Sequence, residues 1–133
     1  MAIVPHTIDI VVADMAASLA FYRMLGLDAP AEADGPQMQI ATPGGATIGL
    51  VTEGLVRQHN PDWIKPTGAR VTFACRCDSP EELNAVHARV VAAGYSSQQD
   101  PWDAFWGQRY AMLLDPDGNR VDLFAAIAEE GVE

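Results

Sequence analysis

Two stretches of the chain alternate hydrophobic and polar residues, and each leads into a helical pattern. Between Thr7 and Val12 an apolar side chain occupies every second position, which is the period of a β-strand with Ile8, Ile10 and Val12 on the helix-packed face. Asp14 is placed to cap a helix, and apolar residues then recur at helical spacing up to a glycine that ends it: Met15, Leu19, Tyr22 and Gly26. This pattern predicts a strand followed by an amphipathic helix.

The same order recurs in the second half of the chain. Residues 72–77 predict a strand, and Ser79 followed by Pro80 and Glu82 is typical of a capping box with proline at the first helical position. The buried stripe and the terminating glycine then follow at helical spacing: Leu83, Val86, Val90 and Gly94. The second half therefore predicts another strand and helix.

Segments 42–50 and 115–123 share the pattern X-Pro-X-Gly-X-X-(β-branched)-X-Leu at an offset of 73 residues, a glycine-bearing turn that enters a strand. Each half thus reads strand, helix and several strands, which predicts an α+β fold. We expect one domain over 1–133. Its expected parts are a first module at about 3–52, a linker at about 53–69 and a second module at about 70–126.

Composition and charge narrow the range of partners. The formal net charge is −10, which disfavours nucleic acid and anionic membranes and favours cationic ligands, although the same charge serves solubility. No apolar run is long enough for a membrane helix, and the first residues lack a secretory pattern, so we expect a cytoplasmic protein. Cys75 and Cys77 are predicted to be small buried hydrophobic residues.

The segment Val12–Asp14 with Ser18–Leu27, and the hairpin Asp115–Leu123, together resemble the signatures of the vicinal oxygen chelate superfamily. That superfamily groups glyoxalases, bleomycin-resistance proteins and extradiol dioxygenases. The resemblance implies two tandem βαβββ modules that form a curved mixed sheet around a ligand cleft, and it implies a homodimer. It leaves function open, because the superfamily contains isomerases, epimerases, dioxygenases, thiol transferases and pure binding proteins.

The resemblance also implies where a divalent ion would be bound, on the first and last strands of each module. The corresponding positions in this chain are Thr7, Gly49, Thr72 and Asp122. One carboxylate, two hydroxyls and a glycine do not supply the ligands of a catalytic transition-metal site, so we predict no metal and no cofactor. His6 lies on the opposite strand face by parity, and neither His59 nor His87 has a partner at ligand spacing.

The leading hypothesis is therefore a metal-free protein that binds a small molecule. The expected ligand is planar or cationic and resembles an antibiotic. Aromatic residues and groups that share cleft-facing parity form the predicted ligand site: Thr7, Asp9, Gly49, Thr72, Arg76, Trp102, Phe105, Trp106 and Asp122. Asp9 and Arg76 could instead form a structural pair. The alternative function is a glyoxalase- or dioxygenase-like lyase or isomerase with Asp122 as a possible base, and a dimerising scaffold without a ligand also stays open.

Overall fold

The computed structural model describes residues 5–69 and 71–127, and the chain forms two compact units, Met1–Pro66 and Thr67–Glu133. The first unit contains β1 (Thr7–Val12), α1 (Met15–Leu25), β2 (Gln37–Ala41), β3 (Thr47–Thr52) and α2 (Glu53–His59). The second contains β4 (Thr72–Arg76), α3 (Pro80–Ala92), β5 (Ser97–Ala104), β6 (Gln108–Leu114) and β7 (Arg120–Ala126). The predicted α+β class is confirmed. No helix in the described part of the chain is long and apolar enough to cross a membrane.

The first unit is a three-stranded sheet in the order β1-β3-β2 with α1 packed against it. The Asp14 side chain accepts a hydrogen bond from Ala17 N at 3.1 Å, and Gly26 ends α1 with a φ of 115°. Both predicted helix boundaries are therefore confirmed. The helix buries Leu19, Phe21 and Tyr22, which belong to the same core as these sheet residues: Met38, Ile40, Ile48 and Leu50.

The first unit departs from the sequence pattern at three places. It has one strand fewer than a βαβββ module, because residues 27–36 contain two prolines and a glycine and form no strand. The predicted linker begins with helix α2, whose first turn is capped by the Thr52 side chain. Ile8, predicted on the helix-packed face, is exposed at the start of edge strand β1.

The second unit is a four-stranded sheet in the order β4-β7-β6-β5 and has the complete βαβββ arrangement. Helix α3 packs on the face that carries Leu113, Val121 and Leu123. Ser79 Oγ caps the helix by accepting from Glu82 N at 3.1 Å. The Glu82 carboxylate accepts from Asp78 N rather than from Ser79 N, which shifts the predicted capping box by one residue.

The duplication extends to backbone conformation. Gly45 and Gly118, which are 73 residues apart, have φ angles of 93° and 85°, a region that favours glycine. In both turns the glycine N–H donates to the carbonyl three residues earlier, Thr42 at 3.1 Å and Asp115 at 3.0 Å. The two hairpins are therefore equivalent structures.

The cysteines match their predicted role as small hydrophobic residues. Both are free thiols, with Cys77 buried and Cys75 half-buried. Burial raises the pKa of both thiols, that of Cys77 to about 11. Neither is a reactive thiolate near neutral pH.

Candidate functional site

Asp122 is the best-buried acid on the second unit's sheet, with only 1% of its surface exposed. It lies on β7 between Val121 and Leu123, which face α3, so strand alternation directs its side chain to the opposite face of the sheet. The Tyr110 hydroxyl, from neighbouring strand β6, donates a hydrogen bond of 2.5 Å to Asp122 Oδ2. A buried carboxylate is thus bound by a group from an adjacent strand.

Arg120 contacts the same carboxylate from two positions earlier on β7. Its Nη2 donates to Asp122 Oδ2 at 3.3 Å, and its Nε lies 2.9 Å from Oδ1. That second contact is an ion pair without hydrogen-bond geometry, since the N–H is not directed at Oδ1. Among the described residues, the buried Oδ1 and Nε atoms have no other hydrogen-bond partner. Oδ1 therefore has an unused hydrogen-bonding position, but that position lies inside the protein.

Tyr110 is held as a neutral donor. Burial, followed by its hydrogen bond to Asp122 and that group's negative charge, raises the pKa of the Tyr110 hydroxyl to about 12. The hydroxyl therefore stays protonated at physiological pH and donates to the carboxylate.

Three aromatic rings pack edge-to-face on this side of the sheet and form what we call the aromatic cluster: Trp102, Trp106 and Tyr110. Their ring centroids are 5.4 to 5.9 Å apart. Trp106 is 47% exposed, and Phe105, at the hairpin tip beside it, is 97% exposed. Trp102 and Tyr110 are half-buried, so the exposed rings of Trp106 and Phe105 are the part of this surface that a flat ligand would meet first.

The local sequence explains why these rings face the same way. Pro101 cannot donate to a strand partner, and the register between β5 and β6 shifts between Gln99 and Trp102. After the shift Trp102 pairs directly with Tyr110. Gly107, with a φ of 90°, closes the tight turn that carries Phe105 and Trp106. The bulge and the turn together position the cluster.

Strand β4 supplies the opposite edge of the same face. Ala74 pairs with Asp122, Thr72 with Arg120 and Arg76 with Phe124, so these β4 side chains lie on the Asp122 face. All three are exposed. The second unit therefore brings together six of the predicted site residues: Thr72, Arg76, Trp102, Phe105, Trp106 and Asp122.

The remaining predicted residues lie together in the first unit. Asp9 pairs with Gly49, and a Cβ added to Gly49 would collide with Asp9 Oδ1 and lie 3.3 Å from Thr7 Cγ2. The Asp9 carboxylate thus lies across the glycine. His6 is exposed, and its Nδ1 is 2.6 Å from Thr7 Oγ1. Because Asp9 and Arg76 belong to different units, the prediction that they pair stays a prediction.

The residues at the positions where the resemblance implies a metal do not fit a divalent transition metal. Asp122 is already engaged by a guanidinium and a hydroxyl, Gly49 has no side chain, and Thr7 and Thr72 offer neutral hydroxyls, which are poor ligands. Across residues 5–69 and 71–127, no three His, Cys, Asp or Glu side chains are grouped so that they could hold an ion.

Sequence reasoning omitted Tyr110 and Arg120 from the site. Arg120 has the same strand parity as Asp122, so the alternation of β7 was a signal that could have identified it. In the register of β6 and β7, Met112 pairs with Asp122 and Tyr110 pairs with Phe124. Tyr110 and Asp122 are therefore diagonal neighbours on the same face of the sheet, which brings the hydroxyl to the carboxylate. That register follows from the length of the hairpin turn after Leu114.

A shallow depression of about 480 Å³ lies in the first unit, lined by Pro30, Asp34, Gln37, Met38 and Gln39. None of these is a predicted site residue. It offers one carboxylate and two amides without a converging set of groups, so the Asp122 face carries the stronger chemical argument.

Comparison with known proteins identifies the family. The model of the glyoxalase/bleomycin resistance protein/dioxygenase superfamily matches residues 3–123. The chain belongs to this superfamily. A search of curated proteins found no significant match.

Solved structures of similar proteins share the superfamily fold. A hypothetical protein from S. aureus has 21% identity and a TM-score of 0.79, with 95% of each chain covered. A glyoxalase/bleomycin resistance protein/dioxygenase from Nocardioides has 22% identity and a TM-score of 0.75, covering 100% of this chain and 90% of its own. Lactoylglutathione lyase from Agrobacterium tumefaciens has 19% identity and a TM-score of 0.67, with 90% and 91% covered. Identities this low establish the fold and not the activity.

Proposed function

We propose that this superfamily member is a metal-free protein that binds and sequesters a planar, antibiotic-like small molecule. The observation that carries the proposal is the accessible aromatic cluster beside a carboxylate engaged by Arg120 and Tyr110. Rings with exposed faces favour stacking with a flat ligand. Thr72 and Arg76, which are exposed at the other edge of this face, supply the polar groups that would orient that ligand.

The alternative, a lyase or isomerase that uses Asp122 as a base, has weaker geometric support. A general base must reach the proton that it removes, and Asp122 is 1% exposed with Oδ2 accepting two hydrogen bonds. Elemental analysis of untagged protein tests the metal-free part of the proposal. One divalent ion per chain, or activity restored by Ni²⁺, Zn²⁺, Mn²⁺ or Fe²⁺ and abolished by Asp122→Asn, would overturn it.

Ligand-detected NMR with an uncharged bicyclic probe, naphthamide, tests binding directly. We expect saturable binding that Trp102→Leu weakens about tenfold, because one stacking partner is lost. Trp63→Leu is the matched control, since Trp63 packs under Arg57 in the first unit. Binding that is absent, or that Trp63→Leu and Trp102→Leu weaken equally, would contradict the proposed site.

The proposal also includes a homodimer, which the superfamily implies, and a cytoplasmic location, which the sequence predicts. Sedimentation velocity of the full chain tests the first, and fractionation of the source cells tests the second. The binding experiment reports on the aromatic cluster, whose residues all belong to one unit.

A further inference from the structure

The face that carries Asp122 has an ordered row of side chains across all four strands. Trp102 on β5 pairs with Tyr110 on β6, Tyr110 pairs with Phe124 on β7, and Phe124 pairs with Arg76 on β4. Neighbouring strands are separated by about 4.8 Å, so the row is about 14 Å long. Three aromatic residues therefore lead from one sheet edge to a guanidinium at the other.

The charges of this face are not balanced. Asp122, in the adjacent row, forms its ion pair with Arg120, so these two charges offset each other. Arg76 is exposed, and no described carboxylate of the second unit lies within ion-pairing distance of it. The charge left without a partner on the face is therefore positive, although the whole chain carries −10.

Local charge outweighs net charge for a ligand in direct contact with the face. At physiological ionic strength the Debye length is about 8 Å, so scattered surface carboxylates are largely screened. A guanidinium in contact with a carboxylate makes paired, charge-assisted hydrogen bonds that salt weakens far less. The expectation of a cationic ligand rested on the net charge and on cation–π contact with the aromatic rings, and it stays a prediction; the exposed Arg76 argues against it.

We propose that the ligand is a planar aromatic anion, with its rings over Trp102, Tyr110 and Phe124 and its carboxylate bound by Arg76. This inference rests on the proposed function and specifies the ligand class of the same site.

Three naphthalene probes that differ in charge test the inference: naphthoate, naphthamide and naphthylmethylammonium. Dissociation constants are measured by ligand-detected NMR on the full chain near neutral pH at about 150 mM salt, where net-charge effects are screened. We expect naphthoate to bind about tenfold more tightly than naphthamide, and the ammonium to bind most weakly.

Arg76→Gln should remove the preference for naphthoate, because it weakens naphthoate binding more than naphthamide binding. Arg89→Gln, an equal charge change on helix α3, is the control and should preserve the preference. Equal binding of the three probes, tightest binding of the ammonium, or a naphthoate preference that survives Arg76→Gln would overturn the inference. In each of these cases, naphthamide binding that Trp102→Leu weakens would still support the proposed function. The absence of binding by any of the three probes would refute the proposed function and the inference together.

Discussion

Replacing Asp122 by alanine is the sharpest test of the site's structure. The carboxylate is 1% exposed and contacts Tyr110 and Arg120. Its removal leaves the hydroxyl of Tyr110 and the buried edge of the guanidinium without partners, each at about 1–3 kcal/mol. Arg120 is 39% exposed and can turn toward water, so its share is at the low end. We expect Asp122→Ala to lower the free energy of unfolding by about 2–3 kcal/mol.

Two further variants separate charge from hydrogen bonding. Asp122→Asn keeps an acceptor for Tyr110 and should cost about 1 kcal/mol. The double variant Asp122→Ala with Arg120→Met should be less destabilised than the sum of its two single variants by at least about 1 kcal/mol, because neither charge is then left unpaired.

Urea unfolding followed by far-UV circular dichroism measures these values, provided the slope with denaturant is unchanged. Asp103→Ala is the matched control. Asp103 lies at the same 2.9 Å from Arg109, but its side chain is 66% exposed. A surface pair of this kind contributes under about 1 kcal/mol. If Asp122→Ala destabilised the protein no more than Asp103→Ala, the buried arrangement described above would be refuted.

Three other outcomes follow from the structure. Gly49→Ala should lower the free energy of unfolding by about 1 kcal/mol more in the native chain than in the Asp9→Ala variant, because the new Cβ displaces the Asp9 carboxylate. Equal losses of unfolding free energy in the two backgrounds would contradict this. Burial lowers the pKa of His87, so the stability that its neutral form contributes is present above about pH 6.5 and is lost as pH falls toward the lowered pKa. His87→Gln should flatten that part of the urea-midpoint curve, and an unchanged slope would exclude this role. The thiolate fraction of Cys77 is about a hundredfold below that of an ordinary thiol, so an aromatic disulfide reagent should modify it rapidly only after urea is added.

The helix boundaries were predictable because their signals are local. Asp14, Ser79 and Gly26 act through hydrogen bonds or backbone angles within a few residues, and each takes its predicted role. The equivalent hairpins at Gly45 and Gly118 were predictable for the same reason, since a positive φ in a tight turn selects glycine.

The unpredicted parts depend on tertiary context. Residues 53–59 contain a glycine and lie before two prolines, which favoured a linker, yet Thr52 caps a short helix there. The acid Glu53 in its first turn also bonds Lys65 at 2.9 Å and thereby ties the helix to the chain that follows. That contact depends on how the intervening residues fold back.

Strand alternation placed Thr72, Arg76 and Asp122 on one face, but it could not supply their partners. The pairing of Trp102 with Tyr110 depends on a register shift beside Pro101, and a shift of one residue would have reversed the face of every side chain before it. The aromatic segment was therefore identifiable as a ligand-site candidate, whereas its geometry required the cross-strand register.

The two repeats differ at one equivalent strand pair, and the difference restricts which side chain position 49 can carry. Asp9 pairs with Gly49 in the first unit, and Ala74 pairs with Asp122 in the second. Asp9 corresponds to Ala74 at the 65-residue offset of the repeat, and Gly49 corresponds to Asp122 at the 73-residue offset. Each unit therefore has one carboxylate and one small residue in this pair, but the carboxylate is on the first strand of one unit and on the last strand of the other. In the first unit the acid lies across a glycine where a Cβ would collide with it, so only one larger side chain fits over the pair. A carboxylate at position 49 would therefore require Asp9 to adopt a different side-chain conformation.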